Sequence, residues 1–231
     1  MKQLPKPEIY EKEELYMPWG ILMKRVLEWV IVNAPSGGKV IDLMCGPGQL
    51  LGKIQESRND LKLTGLDNDK RYTDFAASSY PNISFICEDI LNWKSQDSFD
   101  LVIVTGGIHH IPYEEKENVI KSIYNSLSQN GVCVMADPFI DEYKDEKQRK
   151  IAAAKLGYEY MKAVIEKNAP DEIISASIDI LSNDVLPNGE YKTSVKKIND
   201  DIDNLFSKIE VNKTWPSIDS EYGDYYFILR K

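Results

Sequence analysis

The chain has 231 residues, 42% of them apolar, enough for a sizeable core in one decorated domain rather than two. Its 13 glycines and 11 prolines are too few for a low-complexity or fibrous chain. A net charge of -9, spread along the sequence, repels phosphate backbones, so no nucleic acid partner is expected and a small molecule is favoured.

The opening segment MKQLPKPEIYEKEEL carries no apolar signal core, and no stretch approaches the roughly 18–20 apolar residues of a membrane span. A cytoplasmic protein without membrane contact is expected. Cys45, Cys87 and Cys133 fit neither a disulfide framework nor zinc spacing and are expected to be buried thiols; no metal is expected. Trp19, Leu22, Met23, Val26, Leu27 and Val30 recur at helical spacing up to a turn at Asn33–Gly38, so residues 1–37 are expected to form a helical cover. Strand-like runs at Lys39–Leu43, Leu61–Leu66, Ile83–Cys87, Leu101–Val104 and Val132–Ala136 then alternate with helical stretches at Gln49–Gln55 and Arg71–Ser79 and a long one closed by Asn130-Gly131. This alternation predicts a doubly wound, mostly parallel α/β sheet.

Residues 139–193 break the rhythm. Ile151, Ala154, Tyr158, Met161 and Ile165 step along one helix, and Ile173, Ile174, Ile178 and Leu181 along another that Pro170 opens. Ligands of open α/β sheets bind beyond the carboxyl ends of the strands, so this insertion after the fifth strand is expected to act as a lid. Ser182-Asn183-Asp184 and Pro187-Asn188-Gly189 are its candidate hinges. Val195, Ile198, Ile202 and Leu205 give one more helix, and Lys208–Thr214 and Tyr225–Leu229 two closing strands, for seven strands in all.

The first strand leads through Asp42 into Cys45-Gly46-Pro47-Gly48 and directly into a helix, a loop whose glycines let a ligand approach the backbone. Asp67 ends the second strand, where a carboxylate can take both hydroxyls of a ribose. Loop and acid together point to an adenosine-type ligand. A dinucleotide fits poorly, because the third glycine of its fingerprint falls on Leu51.

Through VIDLMCGPGQLL (40–51), GLDND (65–69), FICEDI (85–90), FDLVIVTGGIHHI (99–111) and LSQNGVCVMADPF (127–139), the chain resembles the small-molecule branch of the class I S-adenosylmethionine-dependent methyltransferases. The resemblance implies a Rossmann-like methyltransferase fold as a single domain over 1–231, with S-adenosylmethionine as cofactor. It implies that Asp42, Gly46 and Gly48 lie near the methionine part, that Asp67 holds the ribose, that Asp89 and Ile90 meet the adenine, and that Thr105 and Gly106 border the sulfonium. The family usually has glycine where this chain has Met44.

His109 and His110, the only histidines, follow the fourth strand. In an extended exit they point opposite ways, so His109 is expected to face the reacting atoms as general base and His110 to pack inward. Asp137, at the end of the fifth strand, is a candidate to hold an acceptor's amine or hydroxyl, and Tyr16, Trp19 and Tyr158 to line the acceptor side. The leading expectation is methyl transfer to oxygen, nitrogen or carbon of a small acceptor. Two alternatives keep the cofactor: a reaction that leaves its methyl in place, and a binding module without catalysis.

Overall fold

The computed structural model describes residues 7–186 and 190–231, with side chains from residue 12 onward. Helices α1 (Pro7–Tyr16) and α2 (Trp19–Asn33) precede an alternation of β1 (Lys39–Leu43), α3 (Gln49–Ser57), β2 (Lys62–Asp67), α4 (Lys70–Ser79), β3 (Ser84–Cys87), β4 (Phe99–Thr105), α5 (Tyr113–Ser126) and β5 (Leu127–Phe139). Then come α6 (Glu146–Glu166), α7 (Asp171–Val185), α8 (Val195–Ile202), β6 (Lys208–Trp215) and β7 (Gly223–Arg230). The seven strands form one sheet in the order β3-β2-β1-β4-β5-β7-β6. Strands β1 to β5 are parallel, and β7 runs antiparallel between β5 and β6. This is the doubly wound sheet that the alternation of strand and helix dictates, with its switch point between β1 and β4.

The pleat divides the core in two. Val40, Leu63, Leu101, Ile103 and Val134 face α2 and α3. Ile41, Leu43, Val102, Val104 and Met135 face α5 and α8. Both sheet faces are therefore covered, and the open side is the edge where the parallel strands end. Among the described residues no helix is long and apolar enough to cross a membrane.

Three local expectations need correction. The pattern puts Ile151, Tyr158 and Ile165 on the packed face of α6, but all three are exposed, and the buried face runs Ala152, Ala153, Leu156, Tyr160 and Val164. A Cβ on Gly157 would lie 2.7 Å from Leu181, so this glycine lets α6 approach α7 closely, and Ile178 of α7 is exposed as well. The long helix before the fifth strand ends at Ser126, not at Asn130-Gly131, because Leu127 already pairs with Phe99 across the sheet. Cys133 is buried in the central sheet, whereas Cys45 is half-buried and Cys87, on the edge strand β3, is exposed.

Asp224 of β7 is fully buried and accepts a hydrogen bond from the Tyr160 hydroxyl of α6. Burial pushes its carboxyl up to about 7. An unfolded aspartate titrates near about 3.9, so the folded chain keeps this proton between about pH 4 and 7 and loses stability as pH rises across that window. Asp224→Asn, which keeps the acceptor and removes the charge, is expected to flatten the fall in melting temperature from pH 5 to pH 8 by several degrees. A fall as steep as in the unaltered chain contradicts this assignment.

Candidate active site

A cavity of about 1350 Å³ opens over the carboxyl ends of β1, β2 and β4 and is closed from above by α1, α2, α6 and α7. Its floor is the loop after β1. Gly46 and Gly48 take the left-handed backbone at φ 54° and 79°, and a Cβ on Gly48 would press on the Phe85 ring at 3.0 Å. Met44 is also left-handed, at φ 59°, a conformation that costs a non-glycine residue about 1–2 kcal/mol. Its side chain lies against Gly107, where a Cβ would meet Met44 Cε at 2.5 Å.

Asp67 binds that loop to the end of β2. Its carboxylate accepts from the Gly46 and Asp69 backbone N–H groups, each at 2.8 Å. Each oxygen keeps a further lone pair for a hydroxyl. Burial outweighs these bonds and raises the Asp67 carboxyl above its ordinary range. Asp42 is buried on the same side of the cavity, and its Oδ1 has no hydrogen-bond partner among the described residues. Burial, and then the nearby Asp67 charge, raise its carboxyl well above the usual range. An unpaired buried carboxylate is costly unless a cation or donor meets it. Asp89 accepts from Leu91 N–H at 3.0 Å and so shapes a turn, yet it lines the cavity together with the buried Ile90. Thr105 and Gly106, the latter at φ 61°, form the wall beneath β4.

Beyond β4 the backbone makes a 3-10 turn, Ile108–His110, instead of an extended exit. Successive side chains are then about 120° apart, since that helix has three residues per turn. Both histidines therefore reach the cavity, and His110 is half-exposed rather than packed inward. His109 Nδ1 lies 3.0 Å from Asp137 Oδ1, and its Nε2 is 3.4 Å from Glu190 Oε2. His110 Nδ1 is 3.4 Å from the same Glu190 oxygen. The neighbouring His109, with partial desolvation, pulls the His110 imidazole down to about 3, so it is neutral at pH 7. Two bonds hold the turn: the buried Lys116 ammonium of α5 donates to Ile108 O, and Tyr191 N–H donates to His109 O at 2.6 Å.

The remaining expectations divide. Trp19 lines the cavity. Tyr16 packs instead with Met17, Val164 and Ile173, because α1 turns it toward α7. Tyr158 points to solvent at 55% exposure, and its neighbours Leu156, Gly157 and Tyr160 take the cavity position. Gly48, the N-cap of α3, does not line the cavity, and Asp137 meets it through His109. Of the hinge candidates, Ser182-Asn183-Asp184 is the last part of α7, with Asp184 paired to Lys192 at 2.5 Å, and Pro187-Asn188-Gly189 lies outside the described residues. Two acids escaped the sequence reading. Glu190 follows the sequence Pro187-Asn188-Gly189, with no periodic pattern around it. Glu13 sits in a run that reads as a solvated acidic face, yet it is 93% buried against the cavity and pushed up to about 7 by desolvation.

A family described as a methyltransferase domain matches residues 40–131. The chain is 28% identical over 131 residues to the carboxy-S-adenosyl-L-methionine synthase of Campylobacter lari, covering 55% of each chain. It is 27% identical over 124 residues to the trans-aconitate 2-methyltransferase of Variovorax paradoxus, covering 53% of this chain and 47% of the relative. The chain thus spans about half the length of these curated relatives. Among solved structures it resembles the plantazolicin methyltransferase BpumL in complex with a desmethyl-plantazolicin analogue and S-adenosylhomocysteine, at TM-score 0.64 and 12% identity over 98% of this chain and 92% of that one, a likeness of fold.

Proposed function

We propose that the protein, whose residues 40–131 form a methyltransferase domain of the class I, S-adenosylmethionine-dependent kind, transfers a methyl group from that cofactor to a nucleophilic atom of a small acceptor. The observation that carries this reading is one cavity holding, in strand order, the unpaired Asp42, the loop-bound Asp67 and the carboxylate-backed His109. The residues fit the cofactor: Asp42 Oδ1 suits its ammonium, Asp67 its ribose hydroxyls, and Asp89 with Ile90 its adenine. When bound, S-adenosylmethionine supplies a methyl group already activated by a positive sulfur.

The chain's own residues then position the acceptor and move one proton. A carboxylate only accepts hydrogen bonds, so Asp137 fixes the proton of His109 on Nδ1 and leaves the Nε2 lone pair at the cavity to take the acceptor's proton. Holding the partners in line supplies about 7–11 kcal/mol of the barrier reduction in well-oriented reactions. Helices α6 and α7 close the cavity with Leu156, Tyr160 and Ile180, and the segment 139–193 is read as the lid that excludes water. Amide exchange in α6 and α7 is expected to slow when cofactor and acceptor are both bound; unchanged protection reduces the segment to scaffold. Cysteines without disulfides suit the cytoplasm as the setting.

Calorimetry tests the cofactor assignment: S-adenosylhomocysteine binds at micromolar concentration and NAD does not. Burial raises the Asp42 carboxyl in the free cavity and a bound ammonium favours its charged form, so over the range where the free carboxyl still holds its proton, binding releases it. Affinity therefore rises with pH until Asp42 is ionised in the free protein. Heats that do not vary with the ionisation enthalpy of the buffer contradict this role.

One comparison favours a second reading, a reaction that uses the cofactor without passing on its methyl, since a relative is named as a synthase of carboxy-S-adenosylmethionine. A carboxylated product carries an extra anion, and the His109 end of this cavity presents Glu190, with Asp137 behind, while the nearby Lys192 is already paired with Asp184. That charge favours plain methyl transfer. Mass analysis separates the two, because only methyl transfer accumulates S-adenosylhomocysteine in step with a methylated acceptor.

A further inference from the structure

We propose that His109, His110 and Glu190 form a three-ligand site for a divalent transition metal at the acceptor end of the cavity. One ligand atom from each of the three lies within 4.8 Å of the others, and both His109 Nε2 and His110 Nδ1 stand 3.4 Å from the same Glu190 oxygen. That spacing exceeds the roughly 2.7–3.2 Å of an N–H···O hydrogen bond. The two nitrogen–oxygen spacings match a different quantity, since ligands about 2.1 Å from a tetrahedral metal ion are about 3.4 Å from one another, and the two imidazole nitrogens lie within 4.8 Å of each other.

The surroundings agree with the spacing. Asp137, 2% exposed, accepts a hydrogen bond from Nδ1–H of His109 and leaves Nε2 as the electron-pair donor, the carboxylate–histidine arrangement that orients metal-binding imidazoles. Glu190 and Asp137 bring two negative charges to the histidine pair, and the nearby Lys192 ammonium is bound to Asp184 at 2.5 Å. The backbone is held on both sides of the site: Tyr191 N–H bonds His109 O at 2.6 Å, and Tyr113 Oη donates to Lys192 O at 2.9 Å. Two imidazoles and one carboxylate select zinc, cobalt or nickel over magnesium and calcium, which take all-oxygen sets. Half-exposure of His110 leaves the fourth position open to water or another small donor.

Metal binding stands independently of methyl transfer, whereas its consequence for turnover rests on reading His109 as the base. The metal takes the Nε2 lone pair that would receive the acceptor's proton. Occupancy therefore silences the base, and zinc inhibits reversibly.

The test uses the full chain, stripped of metal by a chelator and titrated with Zn²⁺ or Co²⁺ alone. One Zn²⁺ is expected to bind per chain, with the visible absorption of four-coordinate Co²⁺ and no heat from Mg²⁺. Glu190→Gln and His110→Ala should each weaken Zn²⁺ binding at least ten-fold, and Asp137→Asn about 10–100-fold as an outer-shell change. Cys87→Ser, which removes the exposed thiol on β3, should bind as the unaltered chain does. Absence of saturable binding overturns the site, and so does binding that survives both Glu190→Gln and His110→Ala or that disappears in Cys87→Ser. S-adenosylhomocysteine calorimetry on the same samples reports cofactor binding separately, so loss of the metal site leaves that reading standing.

Discussion

Replacing His109 with Ala is expected to lower methyl transfer by about 10²–10⁴-fold, the range of a positioned general base, while cofactor affinity barely moves. On the proposed mechanism three features would carry the effect. The 3-10 turn presents the imidazole to the cavity, Lys116 and Tyr191 hold the turn at the Ile108 and His109 carbonyls, and Asp137, 3.0 Å from Nδ1, would fix which nitrogen keeps its proton. Asp137→Asn should lower turnover in the same direction, because an amide no longer obliges Nδ1 to be the donor. A loss of only a few-fold in His109→Ala means that the acceptor arrives already nucleophilic and that catalysis is positional. Circular dichroism of the variant separates loss of rate from loss of fold. His110→Ala is the matched comparison, and since that ring is half-exposed it should cost little stability.

The second large effect is at Asp67. Its carboxylate holds Gly46 and Asp69 through backbone N–H groups and, on the proposed reading, would also receive the ribose hydroxyls. Charge-assisted bonds are worth about 1.5–3 kcal/mol each, so Asp67→Ala should weaken S-adenosylhomocysteine binding roughly ten- to more than hundred-fold. Part of that loss comes through the loop, which is no longer drawn onto β2. Asp67→Asn retains one accepting oxygen and should fall between the two. Equal calorimetric affinity in all three proteins removes Asp67 from the cofactor site.

The fold was legible in the sequence because its signals are local. Strand-like runs, the glycine loop after Leu43 and the helical periods each lie within about ten residues, and Asp42, Asp67 and Asp89 inherit their places from strand ends. The reading failed where tertiary packing chose between equivalent local options. Helix α6 offers two apolar faces, and packing against Ile140, Tyr222 and α7 buried the one that carries Ala152, Leu156, Gly157 and Tyr160, which sent Tyr158 to solvent. His109 and His110 were placed on opposite sides on the assumption of an extended exit, and the turn brought them together. Glu190 and Glu13 carry no signal at all in one dimension. Each becomes part of the cavity only through long-range contact, Glu190 beside Tyr191, whose N–H bonds His109 O, and Glu13 by the folding of α1 over the site.

The account stands most directly on whether a methyl group leaves the cofactor for a small molecule. Incubating the full chain with S-adenosylmethionine bearing an isotopically labelled methyl group and with fractionated small-molecule extract, then analysing by mass spectrometry, measures that step. The expected result is one labelled small molecule appearing in equal amount with S-adenosylhomocysteine, and neither appearing with His109→Ala over the same time. Consumption of the cofactor with no labelled acceptor, or with the label still attached to the sulfonium, would contradict it.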